Sequence, residues 1–128
     1  MVTFYGPFRM KWNPYAAECP TRQLLDRISD KWVVLVLSLL EDGPKRFSVL
    51  KREIDGISQK MLSQTLRALE QDGFVSRRAF PTVPVTVEYE LTPLGRSLNV
   101  AMTPIVEWAV ANMSRVLKAR DNYEKKPT

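Results

Sequence analysis

The chain has 128 residues, enough for one domain with one packed core and too few for two of ordinary size. Hydrophobic residues at 45% and charged residues at 26% match a soluble globular chain and exclude disordered and collagen-like classes. Nineteen Lys and Arg against fourteen Asp and Glu give a net charge of +5, which favours a polyanionic partner; zero His and one Cys exclude His-based acid/base catalysis, Cys/His nucleophile pairs, Cys/His zinc sites and an internal disulfide.

In chain order, residues 1–20 read as an N-terminal arm. Its Phe4, Tyr5, Phe8, Trp12 and Tyr15, broken by Gly6, Pro7 and Pro14, are too aromatic for a solvated tail, so the arm is expected to lie across another surface. After Pro20, Leu24, Leu25 and Ile28 stand at helical spacing in a short helix, Thr21 to Ile28. Ser29 and Asp30 are N-cap candidates for Lys31 to Glu41. Its dense Trp, Val and Leu content suits a buried strand or a buried helix, and its length with the Asp42-Gly43-Pro44 stop favours helix. The longest apolar run, Trp32 to Leu37, falls far short of the ~20 residues that span a bilayer, and no signal-peptide core opens the chain. The expectation is a cytoplasmic, nucleoid-associated protein without a membrane partner.

Lys45-Arg46-Phe47 reads as a short strand or extended link, followed by Ser48 as N-cap of a helix from Val49 to about Ile54. Asp55-Gly56 ends it. Ser58 caps the next helix, Gln59 to Gln71, with Ile57 and Leu62 placed for a hydrophobic staple. A short Gly-containing connection between two such helices is the signature of a helix-turn-helix. Phe74 to Phe80 and Val85 to Leu91 then read as two strands joined by Pro81 to Pro84, a hairpin in the place of a wing. Thr92-Pro93 opens a long helix to about Ala119, with an apolar stripe of Leu94, Leu98, Ala101, Ile105 and Trp108 and a kink or break expected at Pro104. Residues 120–128 read as a polar tail, disordered from 121.

The fold class is therefore mainly α with a small β-hairpin (α+β): a winged helix-turn-helix over residues 21–119. Leu62, Leu66 and Leu69 form the inner stripe of its recognition helix, which turns Gln59, Lys60, Ser63, Gln64 and Arg67 outward as candidates for base contact. Gln pairs bidentately with adenine, and Arg or Lys with guanine, in a major groove wide enough for a helix. Residues 45–78 hold eight basic against four acidic residues, most of the chain's surplus. Lys45, Arg46, Lys51, Ser58, Arg77 and Arg78 are the phosphate-contact candidates. The long helix has no second domain to bury its stripe, so the chain is expected to be a homodimer through its N-terminal and long C-terminal helices, with Leu24, Leu98, Ile105 and Trp108 at the interface. Cys19, next to a helix N-terminus, is a candidate redox sensor, since the helix dipole favours a thiolate. No cofactor is called for, any small-molecule effector is unknown, and the scattered carboxylates show no catalytic pairing.

The order of these elements resembles the HxlR-type winged helix-turn-helix transcriptional regulators of bacteria. The residues that carry the resemblance include Cys19-Pro20, Lys31-Trp32, Gly43 to Phe47, Ile54 to Leu62, Leu66 to Phe74, Val83-Pro84, Val87-Glu88-Tyr89, Leu91-Thr92, Leu94-Gly95 and Trp108, over roughly residues 19–115. It implies homodimers on double-stranded operator DNA and, in some members, sensing of electrophiles or oxidants by a Cys at the position of Cys19. Where the family commonly has Pro and then Lys or Arg before Val-Glu-Tyr, this chain has Val85 and Thr86. The contrasting reading is a winged-helix module that binds proteins, its basic face incidental.

Overall fold

The computed structural model describes residues 12–127, so the expectation for Phe4, Tyr5 and Phe8 lies outside the described residues. Five helices and three strands follow one another: α1 (Pro20–Ile28), α2 (Lys31–Leu39) with a 3-10 turn (Leu40–Asp42), β1 (Lys45–Arg46), α3 (Phe47–Glu53), α4 (Gln59–Gln71), β2 (Val75–Phe80), β3 (Thr86–Leu91) and α5 (Pro93–Glu124). The chain is a winged helix-turn-helix, mostly helical with a small antiparallel sheet.

The ambiguous segment after Asp30 is helical. Between the two cap candidates the chain uses Asp30, whose carboxylate accepts a hydrogen bond from the Trp32 amide at 2.7 Å. Val33, Val36, Leu37 and Leu40 of this stretch are buried in one cluster with Leu50, Ile54, Ile57, Leu62, Leu66, Leu69, Phe74, Val75, Tyr89 and Leu91. Three helices and the inner face of the sheet thus share a single core.

Several local expectations need correction. Ser48 does not cap α3; the helix starts at Phe47 behind Arg46, with no side-chain cap bond. The strand supplies the reason, since Lys45 and Arg46 are held opposite Tyr89 and Glu88 and the chain turns into the helix directly from that pairing. The same pairing turns the expected hairpin into a three-stranded sheet of order β1-β3-β2. Helix α3 ends at Glu53, and the turn to α4 passes through Gly56, whose φ of 84° lies where side-chain-bearing residues are rarely found. Pro104 does not break α5, which runs through it for 32 residues, roughly 48 Å. The missing proline N–H deprives only the carbonyl four residues back. That residue, Val100, is 68% exposed, so the lost bond falls on the outer side of the helix. Nor is the chain disordered from 121: α5 continues to Glu124, and Lys125 closes it with a backbone bond and a 2.9 Å ion pair to Asp121.

The start of α5 is locked to the turn that follows the recognition helix. Thr92 caps the helix by accepting from the Gly95 amide at 3.0 Å, and its hydroxyl donates to the Gly73 carbonyl. Gly95 rests on the Phe74 carbonyl so closely that a Cβ there would lie 1.9 Å from the oxygen. Only Gly95, Asn99 and Met102 of α5 are buried. The predicted stripe lies about a quarter turn away: Leu98 is half-buried against the core, while Leu94, Ala101, Ile105 and Trp108 are exposed.

Candidate nucleic-acid interface

The recognition helix is built by its two ends. Ser58 Oγ accepts from the Met61 amide at 3.0 Å, and Ile57 and Leu62 are both buried, which fixes where α4 begins. At its far end Asp72 receives Arg27 Nε of α1 at 3.3 Å, an ion pair that the sequence reading missed. Leu62, Thr65, Leu66 and Leu69 face the core, leaving Gln59, Lys60, Gln64 and Arg67 exposed and Ser63 half-buried.

These five do not form one uniform face. At 100° per residue, Lys60, Gln64 and Arg67 stand opposite the buried row, whereas Gln59 and Ser63 lie along one flank. That flank turns toward the wing, where Gln59 and Ser63 line a hollow with Val85, Thr86 and Val87. On the other flank Gln64 borders a cleft shared with Asp26 and Asp30 of the α1 region. The Ser58 hydroxyl, having accepted the cap bond, still has a proton to donate outward.

Strand register sorts the phosphate candidates. Paired residues of neighbouring strands project on the same face. Lys45, Tyr89 and Arg77 therefore share one face, the one that buries Tyr89, and Arg46, Glu88 and Arg78 share the other. Arg77 and Arg78, adjacent in sequence, point to opposite sides of the wing. Arg78 sits 5.0 Å over the Phe80 ring, and the Glu88 position lies between Arg46 and Arg78. Alternation along the strands was the signal that would have found this split from sequence. Lys51 is exposed on α3.

The wing tip is held by Thr82. Its hydroxyl donates to the Pro84 carbonyl at 2.7 Å and accepts from the Thr86 amide at 3.1 Å. Residues 81–85 are all exposed, and no charged residue occurs between Arg78 and Glu88.

Away from this surface, Cys19 is the N-cap of α1 and nearly buried. The Thr21 side chain favours the thiolate most, with backbone amides of Thr21, Asn13 and Arg22 adding to it, and together they outweigh burial and lower the thiol pKa. Leu24 is exposed beside a cleft of about 650 Å³ between α1 and the start of α5, which Trp12, Phe74 and Leu94 also line. Among the described residues, no three acidic or sulfur ligands cluster as a metal site, and no helix is long and apolar enough to cross a membrane.

Comparison with known proteins adds four findings. The model of the HxlR-like helix-turn-helix family matches residues 27–117. An uncharacterized HTH-type transcriptional regulator, YtfH of Escherichia coli K12, is 47% identical over 109 residues, covering 85% of this chain and 86% of that one. Among solved structures, a transcriptional regulator, ytfH, from Salmonella typhimurium superposes with a TM-score of 0.83 at 44% identity, over 87% of this chain and 99% of the other. The redox regulator HypR in its oxidized form superposes with a TM-score of 0.67 at 40% identity, over 73% and 97%.

Proposed function

The chain belongs to the HxlR-like helix-turn-helix family of transcriptional regulators, and from that premise we propose that it binds a two-fold operator in double-stranded DNA as a homodimer. The observation that carries this reading is the outer face of α4, where Lys60, Gln64 and Arg67 are exposed opposite a fully buried leucine row and Gln59 and Ser63 flank them beside the wing. Gln59, Lys60, Ser63, Gln64 and Arg67 read base edges; Lys45, Arg46, Lys51, Ser58, Arg77 and Arg78 take phosphates, with Arg77 and Arg78 on opposite sides of the wing and so reaching different backbone segments. Leu24, Leu98, Ile105 and Trp108 form the subunit interface, supported by the exposed apolar face of α5 and the open cleft beside α1.

Selection from a random duplex library with the full-length chain tests the reading. The expected product is an inverted repeat with half-sites about 34–36 Å apart, bound with an affinity that falls steeply with salt. Selection of no sequence, together with salt-insensitive capture of a protein partner, would instead establish the protein-binding module.

The input signal has a candidate in Cys19. Its lowered pKa and the structural likeness to a redox regulator support a thiol-based response. Operator binding by wild type and Cys19→Ser, before and after mild peroxide or diamide, decides this; a mutant that responds as strongly as wild type removes Cys19 from the signal path.

A further inference from the structure

The wing tip offers DNA no charge. Between Arg78 and Glu88 the chain runs Ala-Phe-Pro-Thr-Val-Pro-Val-Thr-Val, so this segment cannot add to affinity by neutralising phosphate. Yet it is not remote from the reading surface. Val85, 64% exposed, lines the same hollow as Gln59 and Ser63 of the recognition helix. Nor is it free to swing away, because Thr82 holds the carbonyl of Pro84 on one side of Val85 and the amide of Thr86 on the other. An isopropyl group held in place beside Gln59, on the flank of the recognition helix that turns toward the wing, has one kind of contact to give, an apolar one. Base edges in the major groove present one apolar group, the C5-methyl of thymine.

We propose that Val85 is a specificity-determining residue that selects, through its methyl groups, a thymine beside the base read by Gln59. The inference rests on the DNA-binding reading above and deepens it by naming a chemical feature of the preferred sequence. Gln59 prefers adenine by a bidentate amide contact, and Val85 adds a preference for a neighbouring pyrimidine that carries a 5-methyl group. The preference does not depend on ionic strength, unlike the contacts of Arg46 and Arg78.

The test takes the selected operator and replaces its thymines one at a time by deoxyuridine, which deletes the methyl group and leaves every hydrogen-bonding edge unchanged. At one position in each half-site, wild-type binding should weaken about 4-fold, the worth of one buried methyl-sized group. Val85→Ala, which removes the contact from both half-sites of the dimer, should bind the thymine duplex about 16-fold more weakly and no longer distinguish uracil there. Val83→Ala, which alters the fully exposed tip residue outside the hollow, should keep the discrimination. Val85→Thr keeps the β-branched shape while exchanging one of the two methyls for a hydroxyl, and should discriminate less strongly than wild type, which guards against a loosened loop in the alanine variant. A scan flat at every thymine, as expected if Val85 packs on deoxyribose, overturns the proposal; so does a Val85→Ala protein that discriminates as well as wild type. Failure to select any sequence is a separate outcome, and it overturns the DNA-binding reading itself.

Discussion

Leu37, Leu50, Leu62 and Leu69 have no appreciable exposure, while Leu24, Ile105, Trp108 and Val110 are between 38% and 76% exposed. The two groups share one chemistry. They differ in the neighbours that the described residues supply: between residues 31 and 91 three helices and a sheet converge on one point, whereas α5 has no buried residue after Met102 and continues for about 33 Å beyond it. Apolar content therefore states how much surface must be covered without stating by what. In the winged core the answer lies within the chain, and in the helical arm it lies in a second copy under the dimer reading. The two regions are mechanically joined, since the turn at residues 72–74 ends the recognition helix, carries the ion pair to α1 and supports the first turn of α5.

The contrast is broken most severely from the core side. Leu66→Ala should cost about 2–5 kcal/mol of stability, because a fully buried side chain leaves a cavity. Chemical denaturation should show a lower midpoint at every protein concentration. Ile105→Asp, on the arm, should act differently: a single chain keeps its fold because the site is exposed, and dimerisation weakens by about 2 kcal/mol or more, roughly 30-fold in dissociation constant. Sedimentation across a concentration series separates the two effects, and an unchanged oligomeric state would refute the assigned interface.

A smaller effect sharpens the distinction within the proposed DNA surface. Arg67→Ala should reduce operator affinity by about 1–3 kcal/mol per half-site while leaving random-duplex affinity much less changed, whereas Arg78→Ala should weaken both alike and reduce the salt slope by about one per half-site. Equal losses for both variants on both duplexes would contradict the split between the helix and the wing. The smallest expected effect concerns Cys19. Its folded pKa lies below the unfolded value, so the thiolate should react with iodoacetamide with a pH midpoint lower in the native protein than in urea. By the same sign, the associated stability is present above the unfolded pKa and is lost as pH falls through the folded one. Coincident midpoints would show that the Thr21 interaction does not act on the thiol.

Much of this was legible without coordinates because the determining interactions are local. Ser58 capping α4, Thr92 and Pro93 opening α5, and the Leu62-Leu66-Leu69 row that turns Lys60 and Arg67 outward each depend on residues within a turn or two of one another. Helical periodicity and cap chemistry act over that range, so the sequence alone determines the helices and the outward residues of the reader. What it left open was decided by long-range partners. Ser48 failed as a cap because Lys45 and Arg46 pair with Tyr89 and Glu88, more than forty residues away. The same pairing set Arg46, Glu88 and Arg78 in one row and separated Arg77 from it. Val85 reached the hollow beside Gln59 only through the packing of the wing on the helices, and the face of α5 that became buried was chosen by Gly95 fitting against the Phe74 carbonyl. The chain's own periodicity fixes which side chains share a face; which face meets another element depends on backbone contacts between distant segments, and these exist only once the tertiary structure has formed.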